Sequence, residues 1–441
     1  MRTSHLILPA LLIVACQAVA AEPVQISTTT LEVPGRLIGQ VMASIDAGRS
    51  DDDPLYRELV RSFEQGEVDI VSHLTTTCQA DSKAEFSAQR AIAAPSYFNM
   101  GHLDWAQRYN PRDIGNGLAT GTHVRVVTRT DRRANCIGAD IEISYSHGKT
   151  VDRLYGARVD GLGGHGGWPA CIELPAFPRN TIRSNLKLPL SGERILAAVT
   201  RPVEPAPGKA DRLGRPDIYH LTFVHVSNGK GRADKQGNPK NETHWAAVYE
   251  IATEQLPGID RVTDLPAGSQ PVDFALVTTS LGAPGLAQSS AAFAYPDALL
   301  LHEAPAEGTA IGKAPTEPRP FHHDGGVDGA RGDFSRNLNT RELRVGTAFL
   351  AVPGALGAEL KLRRIARPPA LREVKLAYPI GKHFATGTSR WVAAHFEQFQ
   401  IDNEDGSHST NLDGGTSGPV ELGHDAEQGT SRIVFFGSRK P

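Results

Sequence analysis

The sequence predicts a mainly β protein, a β-rich α+β fold of two tandem antiparallel-sheet modules, the first with one short helix. Three observations carry this. Gly and Pro number 44 and 30 and are spread along all 441 residues, which suits many short strands and turns better than long helices. Runs of residues alternate with period two, as Ile182, Ser184, Leu186, Leu188 and Leu190 do against Arg183, Asn185 and Lys187. Finally, the second half echoes the first in outline, at several places and in the same order.

The elements follow in chain order. The start, MRTSHLILPALLIVACQAVAAEP, has an early Arg, an apolar run from Leu6 to Ala15 and then small residues, the layout of a secretory signal peptide over residues 1–21. Its end reads in two ways: cleavage after Ala18-Val19-Ala20, or a lipobox from Leu12 to Cys16 in which Cys16 is lipidated and anchors the chain. Either reading exports the protein, to the periplasm or the outer membrane. From Val24, VQISTTTLEVPGRL reads as a strand closed by Pro34-Gly35. In DDDPLYRELVRSFEQGEV, Asp51 to Asp53 offer an N-cap, Pro54 a first helical position and Gly66 a stop. Leu55, Leu59, Val60 and Phe63 recur between them at helical spacing.

Strands are then expected at DIVSHLTTTC, KAEFSAQRAIA, GTHVRVVTRT and ADIEISYS. After an insert rich in Gly and His, residues 182–190 and 195–199 read as a hairpin turning at Ser191-Gly192-Glu193, and DIYHLTFVHVS ends the unit. The first module is thus placed at 22–230, a connecting segment at 231–270 and a more divergent second module at 271–441, with the polar NGKGRADKQGNPKN as boundary loop. The echoes are TTLEVPG with TSLGAPG (Thr279 to Gly285), LATGTHVRVV with LRVGTAFLAV, ADIEIS with AELKLR, and YHLTFVHVS with SRIVFFGS. In the second pair Gly121-Thr122 matches Gly346-Thr347.

Composition narrows the chemistry. A net charge of -3 without basic clusters gives no electrostatic footprint for nucleic acid. Beyond the first residues no apolar run is long enough to span a bilayer as a helix. No catalytic residue and no cofactor is expected: Gly-x-Ser-x-Gly is absent, Ser146-His147 is only a neighbouring pair, and no two carboxylates are singled out. DGLGGHGGWPAC, with His165 and Trp168, lacks the Lys and Ser/Thr of a phosphate loop and reads as an insert. The candidate metal ligands are His322, His323 and Asp324, with Asp328 following and His147, His165 and His302 elsewhere; adjacent histidines need a loop to face one ion. DNEDGSHSTNLDGG, Asp402 to Gly415, is oxygen-rich but fails the EF-hand spacing and reads as a hairpin tip. Outside the leader, Cys78, Cys136 and Cys171 allow one disulfide of unassigned pairing and one thiol.

The segment Leu59 to Pro95 resembles the C-terminal β-domain of bacterial secretins, in which a helix ending in Gly leads to two strands and a Pro. The matching parts are Phe63 to Gly66, Asp69 to Thr76, Asp81 to Phe86 and Pro95. ATGTHVRVV and ADIEISYS look like the family's next strands, and Pro175, Phe177, Arg179 and Gly192-Glu193 are similar to its Arg-to-Gly-Glu block. The resemblance covers Val24 to Ser227 and more faintly Pro271 to Gly437; it departs at Ile195 to Pro205, where the family's pore segment is missing. It implies a fold rather than a pore. The expected role is that of an exported envelope protein with a non-enzymatic structural, assembly or binding function, its partners being envelope proteins or further copies. Two alternatives stand beside it: an exported hydrolase or carbohydrate-binding β-sandwich using His- and Gly-rich loops, and a component of an oligomeric secretion pore.

Overall fold

The computed structural model describes residues 23–46, 52–91, 119–131, 135–146, 151–160, 168–176, 178–203, 218–227, 240–266, 268–299, 338–354, 357–365, 371–382, 389–399, 407–412, 414–426 and 428–440. The first module runs β1 (Pro23–Pro34), α1 (Ile38–Asp46), α2 (Asp53–Glu64), β2 (Asp69–Gln79), β3 (Lys83–Ala91), β4 (Ala119–Asp131), β5 (Cys136–Ser146), β6 (Val151–Asp160), β7 (Trp168–Ala176), β8 (Pro178–Pro189), β9 (Arg194–Thr200) and β10 (Ile218–Ser227). The second runs β11 (Asn241–Ala252), β12 (Asp273–Ser280), β13 (Gly285–Leu299), β14 (Leu338–Gly354), β15 (Gly357–Ile365), β16 (Leu371–Lys382), β17 (Ser389–Phe399), β18 (Ser407–Leu412), β19 (Gly415–Thr416), β20 (Val420–Asp425) and β21 (Thr430–Arg439).

All strand pairs are antiparallel, and they form three sheets. The first sheet has the order β2-β1-β10-β9-β12-β11-β21, with β19 and β20 both on β21. The second has the order β3-β4-β5-β8-β13-β14-β15-β18, and a small third sheet the order β7-β6-β17-β16. The first two stack face to face. Val124, Ile141, Ile182, Leu186, Val224, Val277, Phe349 and Leu360 form the core between them. The other face of the first sheet is covered as well: Ile38, Val41, Leu55 and Leu59 of the two helices pack on Leu31, Tyr219, Phe223, Tyr249 and Phe435. Burial on both faces accounts for the unbroken buried runs in β9, β10, β11 and β12, whereas β8, with one covered face, alternates. Each fully buried side chain of this kind contributes about 1.5–3 kcal/mol.

The expected helix is α2, with Pro54 in its first turn and Gly66 just past its end at φ 74°. Asp52 stands at the N-cap, but its carboxylate accepts the Leu196 amide (2.7 Å) instead of capping, and Asp53 accepts the Arg194 amide (3.2 Å), so the helix start is tied to β9. A second helix, α1, precedes it, formed by IGQVMASID.

Two readings are corrected. Residues 182–189 and 195–199 lie in strands, but these are not paired with each other. β8 pairs with β5 and β13 in the second sheet, while β9 pairs with β10 and β12 in the first. Ser191-Gly192-Glu193 therefore turns the chain from sheet to sheet, with Gly192 at φ 89°. Alternation marks a strand with one buried face but does not name its neighbour. The segment 231–270 is also more than a connection, because it contains β11, a central strand between β12 and β21.

The order of strands runs twice through the same pattern. In each module two strands enter the first sheet, three the second, a hairpin the third, then one returns to the second and the rest to the first. Hence β1, β2, β3, β4, β5, β8 and β10 correspond to β11, β12, β13, β14, β15, β18 and β21, and β19 with β20 takes the place of β9. Register agrees residue by residue: Gly121 faces Gln89 and Ser146, and Gly346 faces Ser290 and Ile365. Both glycines have positive φ, 111° and 129°, and a Cβ on either would lie 2.1 Å from a carbonyl oxygen of the neighbouring strand, that of Ala88 or Ser289. Three of the four echoes pair equivalent strands; TTLEVPG and TSLGAPG do not, since they end β1 and β12.

Candidate functional site

Pairing the modules by position separates what the architecture needs from what one module alone carries. Two layers of polar side chains lie between the stacked sheets, one toward each end.

One layer is present in both modules. In the first, the Tyr145 hydroxyl bonds to Thr200 (3.3 Å), Thr200 donates to Asn180 (3.2 Å), Thr30 bonds to Thr222 (3.1 Å) and Thr122 donates to Ser72 (2.8 Å). His220 lies 3.3 Å from Glu32. In the second, Asp273 accepts from Thr347 (2.6 Å) and from the Arg364 guanidinium (2.9 Å), linking one sheet to the other. Asp273, Thr347 and Arg364 stand where Ser72, Thr122 and Tyr145 stand in the first module, so the Thr347 bond repeats the Thr122 bond. Burial holds the Tyr145 phenol above its ordinary pKa, and it stays a neutral donor. A layer kept in both modules belongs to the fold.

The other layer exists only in the second module. Glu242 and His244 lie two apart on β11 and share its inward face; Ser438 on β21 is directly opposite His244. The Ser438 hydroxyl and His244 Nδ1 share a 3.0 Å hydrogen bond, and His244 Nε2 is 3.5 Å from Glu242 Oε2. All three residues are buried. Their equivalents in the first module are Val24, Ile26 and Val226, all buried in the apolar core, as the pairs Ile26–Val226 and His244–Ser438 show. The fold fills these positions with hydrocarbon in one copy and with a carboxylate, an imidazole and a hydroxyl in the other.

These three side chains line a cleft of about 230 Å3 at the end of the sandwich, beside the β12–β13 turn (Leu281 to Ala283) and the β14–β15 turn (Pro353, Gly354 and Gly357). Ser, His and Glu are the residue types of a nucleophile, a base and an orienting acid. The environment sets what they can do. Burial pushes the imidazole pKa down to about 4, so it is neutral at ordinary pH but a weak proton acceptor. Such a group anchors a hydrogen bond better than it activates a hydroxyl.

His322, His323, Asp324, Asp328, His147, His165, His302 and Cys16 lie outside the described residues. Among the described residues no group of three or more His, Cys, Asp or Glu is placed to hold a metal ion. Ser407–Leu412, inside the expected oxygen-rich hairpin tip, is strand β18 at a sheet edge. Cys78 and Cys136 are free thiols, both with pKa raised chiefly by burial. Among the described residues no helix is long and apolar enough to cross a membrane.

The cluster at 242, 244 and 438 is not among the candidates the sequence offers, because 231–270 reads there as a connection. The signal lay in NETHWAAVYEIA, where the inward parity that ends in Ala246 and Val248 begins with Glu242 and His244.

The lateral ends of the sandwich are the other notable surface. Among the described residues β2 and β3 have no outer neighbour at one end, nor do β18, β19 and β20 at the other. Behind the first edge Val71, Leu74, Cys78 and Phe86 are only partly covered, and Leu412, Val420 and Leu422 behind the second. Ile70, on β2, is 45% exposed. Compared with family models, with curated proteins and with solved structures, the chain matches none.

Proposed function

We propose that this is an exported envelope protein, periplasmic or bound at the outer membrane, with a non-enzymatic structural, assembly or binding role exercised through the lateral edges of its sheets. The observation that carries the reading is the pair of edges with no outer neighbour among the described residues and with half-covered apolar side chains behind them. An unpaired edge offers a row of N–H and C=O groups to an incoming strand, and the exposed core rim adds apolar area to the pairing. β2 has none of the usual protections in its middle: Ser72 to Cys78 contains no Lys, Arg, Asp, Glu or Pro. Export rests on the N-terminal leader, and the likeness to a secretin β-domain fits the same setting. A photo-cross-linking residue in place of Thr77 on β2, or of Asn411 on β18, is expected to give discrete adducts in cells of the native host. Absence of adducts from both edges would overturn the reading.

The hydrolase alternative is favoured by one observation, the Ser438–His244–Glu242 cluster in its cleft. The depressed basicity of His244 weighs against it. Turnover of ester or glycoside substrates by the purified protein, abolished in Ser438→Ala, would establish it in place of the first reading.

A further inference from the structure

We infer that the two edges left without an outer neighbour among the described residues are partners for one another, so that copies of this chain join head to tail through the same junction that joins its modules. This rests on the reading of the edges as the working surface and specifies the occupant as a second copy.

Inside the chain the modules meet through one strand pair in each sheet: β8 with β13 in the second, from Ser184–Gly285 to Pro178–Ala291, β9 with β12 in the first, at Val199–Leu276 and Ala198–Val277, and β6 with β17 in the small third sheet. β12 and β13 are the second module's copies of β2 and β3; β8 and β9 are the first module's copies of β18 and β19–β20. One end of the molecule therefore presents the strands that receive at the internal junction, and the other end presents the strands that dock. Neither pair is used among the described residues. Two outer edges that repeat the two sides of an existing internal junction already have matching strand direction, sheet spacing and twist.

Register follows by carrying the internal pairs across the repeat. Ala287–Ile182 and Gln288–Thr181 become Phe86–His408 and Ser87–Ser407; Leu286–Arg183 and Gly285–Ser184 become Glu85–Ser409 and Ala84–Thr410. In the first sheet Leu276–Val199 and Val277–Ala198 become Thr75–Glu421 and Thr76–Val420. Parity is a check that could have failed and does not. Ala84 and Phe86 are the more covered residues of β3, and His408 and Thr410 those of β18, so the paired residues face the same core; Glu85 and Ser409 are both exposed on the outer face. Joining the edges would seal Phe86, Leu74, Leu412, Val420 and Leu422, the residues left half-covered at the two ends.

The outer junction is more polar than the inner one, with Thr75 and Glu421 where the inner has Leu276 and Val199. It should be weaker and reversible. Because the contact is heterologous, copies add in one direction and form a ring if the rotation closes, or a filament if it does not.

The test uses the full mature chain carrying Cys78→Ser, which removes the native thiol from the edge. With Glu85→Cys and Ser409→Cys on one chain, mild oxidation is expected to give a ladder of dimer, trimer and higher species on non-reducing gels, since directly opposite strand residues are within disulfide reach. A mixture of the single variants should give heterodimers only. Sedimentation of the chain without added cysteines should show mass rising with concentration, and Phe86→Lys or Thr410→Lys should weaken this at least about tenfold. A constant monomer mass with no ladder, or cross-links only between like edges, would overturn the inference. If the Thr77 and Asn411 adducts persist with other envelope proteins while self-cross-links are absent, the second copy is wrong and the binding role stands. If neither edge yields any adduct, both fall.

Discussion

His244 shows how one side chain reports on its surroundings. Its pKa falls from 6.5 to about 4 because the folded interior disfavours the imidazolium, while the unfolded chain protonates it at the usual pH. Between these values the unfolded state binds the extra proton, so stability is lost as the pH drops from 6.5 toward 4 and is fully present above 6.5. The linked loss is about 3 kcal/mol at about 1.4 kcal/mol per pH unit. Denaturant titrations at pH 7 and pH 4.5 should show this drop in the native protein and a smaller one in His244→Gln; equal drops would contradict the burial account. The residue's type was plain in the sequence. Its partner Ser438 was not, because the two are separated by almost the whole second module and meet only through the register of β11 on β21.

At the scale of elements, the paired glycines of β4 and β14 are the sharpest test of the duplication. Each lies at positive φ with the adjacent strand's carbonyl where a Cβ would go. Gly121→Ala and Gly346→Ala should each lower stability by about 2 kcal/mol or more, since a left-handed backbone and a clash act together. Gly39→Ala in α1, with nothing within 4 Å, should be neutral or stabilising by up to about 1 kcal/mol. Urea midpoints of the three variants decide it, and a tolerated Gly346→Ala would mean the two positions are not equivalent. Strand existence was legible because alternation and Gly-Pro punctuation are local signals. Strand pairing was not: the text from 178 to 200 reads as a hairpin, yet its two strands enter different sheets, and only contacts distant in sequence separate the two outcomes. The missed α1 has the same cause, because its apolar face matters only against Leu31 and Tyr249 of the sheet it covers.

For the molecule as a whole, continuity of both large sheets across the module boundary predicts one cooperative unfolding transition. The β8–β13 and β9–β12 pairs sit in the middle of the sheets, and the core between them runs through both modules. Thermal scans by calorimetry and by near-UV and far-UV circular dichroism should coincide; two separated transitions would show that the modules fold independently. The sequence on its own determined that the chain is mainly β and where about half of its strands lie, among them β1 to β5 and β8 to β10, since composition and period are properties of short stretches. The folded chain was needed to show that β11 is a strand rather than a link, that Glu242, His244 and Ser438 replace core hydrocarbon at equivalent positions, and that its outer edges repeat the two sides of its inner junction. Those are statements of register between distant segments, and register is fixed by which faces can be buried together.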